Sequence, residues 1–281
     1  IDTGDVNDDG RVDVVVANYT SNDVSVFLGN ADGTYQTPLT FSVSNNPSAV
    51  IVTDLNADCK LDILTSGFGS NNLSALINTG VNGSNTVSFA APILSAAGNG
   101  IKGIANYEMD GDQTLSVVAA NSGSNNISLF TNNQGAFTQV NTFAVGTSPV
   151  ALAVGDVNKD GGLDVVVVNS GSNNISVLLK SDDPGCFFDR QEIYDVGVNP
   201  SSIALGDFNG DSNLDVVVTN QGSNTISLLF GNGDGTFKCQ TTLSVGKSPA
   251  SVAIGDLNGD AFPDFVVANS GSDNISIFLG N

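Results

Sequence analysis

The sequence predicts an all-β fold, a β-propeller of six four-stranded repeats whose last blade is incomplete in this chain. Three observations predict it. One acidic loop pattern recurs six times, beginning at Asp5, Asp54, Glu108, Asp156, Asp207 and Asp256, with spacings of 49, 54, 48, 51 and 49 residues. Each period holds four short strand-like runs joined by turn residues. No segment sustains a helical apolar period, and the helix formers Glu, Lys and Met are scarce. Four strands in each period of this length are the signature of a propeller. An open solenoid is the alternative architecture, but solenoid repeats are usually shorter or helical.

The repeats run approximately 1–46, 47–100, 101–147, 148–198, 199–247 and 248–281, a single propeller domain over 1–281 with no linker. Each opens on an apolar stretch such as Ser251-Val252-Ala253-Ile254-Gly255, usually preceded by a proline: Pro47, Pro149, Pro200 or Pro249. The acidic loop follows. The second strand is a β-branched run, for example Val165-Val166-Val167-Val168, apolar on both faces as a sheet packed between two neighbours requires. A polar turn, Asn169-Ser170-Gly171-Ser172-Asn173-Asn174, leads to the alternating third strand Ile175-Ser176-Val177-Leu178-Leu179. A turn such as Gly231-Asn232-Gly233-Asp234-Gly235 precedes a weaker fourth strand around Phe237 to Val245. The chain opens at Ile1 inside a first strand and stops at Gly280-Asn281 after a third. The expectation is that upstream residues have been processed away or left out. Closure then uses a three-stranded blade or a strand supplied from elsewhere.

The loop reads Asp-x-Asn-x-Asp-x-x-x-Asp. Ca²⁺ is a hard cation that takes about six to eight oxygens, and side chains at alternate loop positions fall on the inside of a tight turn. Repeat one offers Asp5, Asn7, Asp9 and Asp13; repeat two, Asp54, Asn56, Asp58 and Asp62. Repeat four offers Asp156, Asn158, Asp160 and Asp164; repeat five, Asp207, Asn209, Asp211 and Asp215; repeat six, Asp256, Asn258, Asp260 and Asp264. Position seven would add a backbone carbonyl. Repeat three departs: it has Glu108, Asp110 and Asp112, but Ser116 closes it, so a weaker or empty site is expected there. Asp and Asn are good turn residues without any metal. One such loop would be poor evidence, but three carboxylates in each of five matching loops repel one another unless a cation neutralises them. Mg²⁺ fits less well because it dehydrates reluctantly. About five or six Ca²⁺ ions are expected, with a structural role, clamping the two strands that each loop joins.

The charge agrees. The net charge is −21, from 29 acids and 8 bases, and the candidate ligand positions of the six loops, three acids in each, hold 18 of those acids. Six Ca²⁺ would bring it to about −9 and five to about −11. Such a balance disfavours nucleic acid and anionic membranes, which call for basic patches. No apolar run approaches the ~18 residues of a membrane helix, and no charged segment followed by an apolar one marks a signal peptide. Without histidine, neither a Ser-His-Asp arrangement nor a His-ligated zinc site can be assembled. Paired aspartates could serve glycoside hydrolysis, but nearly all the clustered ones are committed to the loops, and Glu192 is the only glutamate outside them. Cys59, Cys186 and Cys239 are an odd number with no CxxC spacing, which reads as free or partly buried thiols; a bridge between Cys186 and Cys239 would be long.

The consensus Pro-x-x-Val-Ala-Ile-Gly-Asp-x-Asn-x-Asp-x-x-x-Asp-Val-Val-Val-x-Asn resembles the FG-GAP (VCBS-type) repeat of the integrin α-chain propeller and of a fungal propeller lectin. The resemblance covers all six repeats. It implies that the loop residues named above are metal ligands, with Ser116 the doubtful position, and an extracellular or cell-surface setting. It leaves function open, because the fold hosts adhesion, sugar binding and occasional catalysis.

Six sequons occur, at Asn18, Asn72, Asn82, Asn126, Asn174 and Asn274, and four of them precede a third strand. They read as glycosylation candidates or as turn chemistry alone. The expected function is a non-enzymatic calcium-binding module for adhesion, binding or structural assembly. Its partner is a protein or glycan ligand at the cell surface or matrix, or a further chain through self-assembly. The alternative is a lectin using the Ser-Gly-Ser-Asn-Asn turns, where only Tyr19 and Phe68 supply aromatic rings.

Overall fold

The computed structural model describes residues 1–108, 115–183 and 186–280. The β-branched runs form strands because branched side chains pack well on a pleated surface. Two compact units result, Ile1–Phe143 and Ala144–Asn281.

In the first unit, blade one is β1 (Asp2–Gly4), β2 (Asp13–Asn18), β3 (Asp23–Phe27) and β4 (Leu39–Ser42). Blade two is β5 (Pro47–Thr53), β6 (Asp62–Gly67), β7 (Asn72–Leu76) and β8 (Ile93–Ala96). Blade three is β9 (Ile101–Tyr107), β10 (Ser116–Asn121), β11 (Asn126–Asn133) and β12 (Ala136–Ala144). In the second unit, blade four is β13 (Pro149–Gly155), β14 (Asp164–Asn169), β15 (Asn174–Lys180) and β16 (Phe188–Asp195). Blade five is β17 (Pro200–Gly206), β18 (Asp215–Asn220), β19 (Thr225–Leu229) and β20 (Thr241–Ser244). Blade six is β21 (Pro249–Gly255), β22 (Asp264–Asn269) and β23 (Asn274–Phe278). Every sheet is in chain order, five with four strands and the last with three. This is the six-bladed β-propeller class that the period predicts.

The second strands carry the core. Every residue of β6, β10, β14 and β18 is buried. Each buried valine among them contributes about 1.5–3 kcal/mol of apolar transfer. Within each unit, consecutive blades share an apolar cluster. Val24 and Val26 pack with Ile63 and Leu76 between blades one and two. Val166, Ile175 and Val177 pack with Val216 and Val218 between blades four and five. Side chains also tie neighbouring first strands: Val52 donates its N–H to Asp2 Oδ2 at 2.8 Å, and Ser201 Oγ donates to the Pro249 carbonyl at 2.9 Å.

The polar turn between second and third strands is a connector. Asn22, Asn71, Asn173 and Asn224 all have positive φ, which asparagine tolerates. Their Oδ1 atoms accept the N–H of Asn46, Gly100, Asn199 and Ser248, at 2.8, 2.9, 2.8 and 2.8 Å, in the turn that opens the next blade. The weaker fourth strand that the sequence suggests is found in blades one, two and five, where β4, β8 and β20 have four residues each, but not in blades three and four, where β12 and β16 run to nine and eight. In blade five, pairing reduces to Thr241–Ser244 plus an isolated bridge between Gly231 and Phe237, shorter than the run expected from Phe237 to Val245. The intervening turn is closed locally instead, with Asp234 accepting both the N–H and the hydroxyl of Thr236.

Candidate metal centre

In all six blades the residue before the loop pairs with the residue that ends it: Gly4 with Asp13, Thr53 with Asp62, Tyr107 with Ser116, Gly155 with Asp164, Gly206 with Asp215, Gly255 with Asp264. The acidic pattern is thus the hairpin connection between first and second strands. Its fourth and sixth positions have positive φ, at Asp8 and Gly10, Ala57 and Cys59, Lys159 and Gly161, Gly210 and Ser212, Gly259 and Ala261. Two such residues coil the chain so that successive N–H groups turn inward.

The carboxylates meet those N–H groups. The first aspartate accepts from the fifth and sixth residues: Asp156 from Asp160 at 3.2 Å and Gly161 at 3.0 Å, and likewise Asp5, Asp54, Asp207 and Asp256. The fifth-position aspartate accepts from the seventh residue and from the amide of the loop asparagine, as Asp211 does from Asn213 at 2.8 Å and Asn209 at 3.1 Å.

The closing aspartate behaves differently. Asp13, Asp62, Asp164, Asp215 and Asp264 are fully buried. One oxygen accepts the N–H of the loop's second residue: Val6, Leu55, Val157, Phe208 and Leu257, at 2.8–3.0 Å. The other accepts an N–H at or just beyond the end of the third strand: Gly29, Asn78, Lys180, Gly231 and Gly280, at 2.7–2.8 Å. Burial pushes the Asp62 and Asp164 carboxyls up to about 6, with the other loop carboxylates adding to the rise and the backbone N–H bonds opposing it. Asp13 and Asp215 are raised for the same reasons.

Among the described residues, no three His, Cys, Asp or Glu side chains converge as a metal-ligand group. Both oxygens of the first and of the closing aspartates hold backbone N–H groups, and the closing ones are fully buried besides. The donors in each loop other than the closing aspartate are all oxygens, from two aspartates, one asparagine and the backbone, a set suited to a hard cation. One observation fits an ion directly. Asn7 is 4% exposed, and its Oδ1 is buried with no hydrogen-bond partner. In loop three, Glu108 is described and Ser116 is buried at the closing position, while Asp110 and Asp112 lie outside the described residues.

The other candidates resolve as follows. Asn18 Nδ2 donates to Asp23 and Ser25, and Asn82 Nδ2 donates to Asp8. Asn126, Asn174 and Asn274 each accept, through Oδ1, from the asparagine that ends the second strand, while Asn72 accepts from Ser70. Tyr19 and Phe68 come together with ring centroids 6.1 Å apart, and the Lys102 ammonium sits 5.7 Å from the Phe68 centroid. Cys59, Cys186 and Cys239 are free and exposed.

Sequence reasoning missed one residue class, the glycine three residues before the strand-opening proline. A Cβ on Gly197 would lie 2.5 Å from Asn220 Cγ, and the Gly197 N–H donates to Asn220 Oδ1 at 3.0 Å. The recurring Val-Gly-x-x-Pro in repeats four, five and six was the available signal.

The FG-GAP-like repeat description matches residues 5–65, 108–167, 156–218 and 207–267. No curated protein matches the chain in sequence. Among solved structures, a protein of unknown function from Desulfotomaculum acetoxidans DSM 771 is similar at 15% identity and TM-score 0.63, over 95% of this chain and 79% of that one. BBS1N, solved in complex with ARL6DN, is similar at 14% identity and TM-score 0.68, over 99% and 77%. The periplasmic gluconolactonase PpgL of Pseudomonas aeruginosa is similar at 16% identity and TM-score 0.63, over 98% and 72%. Likeness at these identities concerns the fold alone.

Proposed function

This chain belongs to the FG-GAP-like repeat family, and from that premise we propose that it is a non-enzymatic, calcium-stabilised binding module of the cell surface or extracellular space. The observation that carries the reading is the buried, unpartnered Oδ1 of Asn7 inside an all-oxygen loop, a loop whose pattern recurs with four sister copies. An amide oxygen so placed lacks the partner that water gives it in the unfolded chain, and a bound cation supplies one. Ca²⁺ held by the first, third and fifth positions would neutralise two carboxylates and tie the hairpin shut. Sites of this kind outside the cell work at calcium of roughly 10⁻⁴–10⁻³ M. The adhesive or assembly partner is a protein or glycan.

The test is thermal unfolding with Ca²⁺ and with EGTA, alongside a count of bound calcium. The reading expects a lower melting temperature in EGTA and about five ions per chain. An unchanged melting temperature with no metal found would overturn it.

A second reading, glycan binding, is favoured by the Tyr19–Phe68 pair, whose tyrosine is 48% exposed. An exposed ring offers a stacking surface for the apolar face of a sugar, and Thr20 and Ser21 line the same shallow, open depression as Tyr19.

A further inference from the structure

Loop one differs from the four other complete loops in having its acidic turn covered. Loops two and four each receive a bond from the following blade at the second residue, Asn132 Nδ2 to the Leu55 carbonyl at 2.8 Å and the Gly235 N–H to the Val157 carbonyl at 3.3 Å, but their fifth-position aspartates stay exposed. The Asp9 side chain is 7% exposed, whereas Asp58, Asp160, Asp211 and Asp260 are exposed. The cover is the excursion between β7 and β8 of blade two. Gly83 donates its N–H to the Asn7 carbonyl at 2.6 Å, and Asn7 Nδ2 donates to the Ser84 carbonyl at 2.7 Å. Asn82 Nδ2 donates to Asp8 Oδ2 at 2.8 Å, and Asn78 Nδ2 to the Val6 carbonyl at 2.7 Å.

The asparagine beneath this cover is also bonded differently. In loops two, four, five and six, Oδ1 of Asn56, Asn158, Asn209 and Asn258 accepts the N–H of the fifth residue, at 3.2, 3.0, 2.9 and 3.0 Å. In those loops the first aspartate shares that N–H; in loop one the N–H, on Asp9, goes to Asp5 without Asn7, whose Oδ1 is left buried and unpartnered. The Asn7 amide stays inside the loop, its Nδ2 3.1 Å from Asp9 Oδ2. Arg11 Nη1 approaches the same Asp9 oxygen at 2.8 Å.

We propose that the blade-two excursion is a lid over loop one, so that a cation bound there is held jointly by blades one and two and is released only when the lid opens. The proposal rests on the calcium reading above and adds to it a kinetic ranking of the loops. The four loops with uncovered turns exchange their ions directly with solvent. Loop one exchanges through a local opening that must break the Gly83, Ser84, Asn82 and Asn78 hydrogen bonds, which slows release. Asn82 is the positioning residue of the lid, since it reaches Asp8 in the turn of the loop, and Asp8 is not one of the candidate ligands.

The full chain is loaded with radioactive ⁴⁵Ca²⁺ and chased with excess unlabelled calcium. One ion is expected to leave about tenfold or more slowly than the others, the factor set by the lid-opening equilibrium. Asn82→Ala should speed that phase several-fold. Replacing residues 80–86 with a two-residue Asn-Gly turn should merge it with the fast phase. The fast ions, still bound in both variants, report that the chain is folded. Asn7→Ala should lower the ion count by one. Release in a single phase from the unaltered chain would overturn the lid, as would a slow phase that survives both variants. An ion count unchanged by Asn7→Ala would overturn it too, because Arg11 would then supply the positive charge of loop one. If no loop binds an ion, the calcium reading itself fails, and the lid with it.

Discussion

The carboxylate of Asp164 accepts the backbone N–H of Lys180, sixteen residues further on, at 2.8 Å, from a fully buried position. With its other oxygen on Val157 it joins the loop, the second strand and the end of the third strand. The same pair of contacts recurs at Asp13, Asp62, Asp215 and Asp264, so it is part of the repeat itself.

Asp164→Ala strands two buried N–H donors. Each costs about 1–3 kcal/mol when left without an acceptor, so the expected loss is about 2–6 kcal/mol. Asp164→Asn keeps one acceptor and should lose about half as much. Urea unfolding of the three proteins checks the order, and a neutral Asp164→Ala would contradict it.

Without metal, stability should fall as pH rises. The Asp62 and Asp164 carboxyls titrate near 6 in the folded chain, against 3.8 for an unperturbed aspartate. The folded state therefore holds their protons more tightly. The stabilisation is complete below about 3.8 and is lost as pH rises through about 6. Melting temperature in chelator, followed from acid to neutral pH, should decline across that window. Saturating calcium should flatten or reverse the slope, because a cation favours the ionised carboxylates.

Asp156→Ala removes one candidate ligand of loop four while leaving the Asp164 contacts in place. The expected outcome is one ion fewer per chain. The calcium-dependent part of the stability should also shrink, by about 2.7 kcal/mol if calcium stands at 100 times the site's dissociation constant. Calorimetric titration reads both quantities, and an unchanged stoichiometry would remove Asp156 from the ligand set.

Gly197→Ala drives a methyl group into Asn220 and displaces the acceptor of the Gly197 N–H. Overpacking of this kind costs about 1–3 kcal/mol. A denaturant midpoint equal to that of the parent would show that the Asn220 side chain yields freely.

Tyr19→Ala separates the two binding readings. The ring is 48% exposed, so its loss should leave the melting temperature nearly unchanged. Glycan binding, measured on an array with calcium present, should disappear. Arrays silent for the parent protein as well would set the glycan reading aside and leave the protein-binding one.

Much of the fold was legible because its signals are local and repeated. The run Val165 to Val168 announces a strand buried on both faces, and all four residues are buried. Asp164 stood in a visible pattern, but its partner Lys180 did not, since nothing in that lysine's identity marks its backbone N–H as a hydrogen-bond donor to Asp164. The turn at Asn173-Asn174 read equally as sequon, sugar contact or turn. Only the folded chain brings Asn173 to the N–H of Asn199 and Asn174 to the amide of Asn169.

The sequence by itself determined the period, the all-β class, the family and the positions of the acidic loops, because each depends on residues close together in the chain. Tertiary structure alone decided what the acids do. It buried the closing aspartates against backbone N–H groups, left the first and fifth positions around the loop, and laid the excursion of blade two over Asn7 while leaving the acidic turns of the other complete loops uncovered. The physical reason is that a side chain's hydration, its charge state and its available lone pairs are set by whatever packs around it. For Asn7 that neighbour lies 77 residues away in sequence.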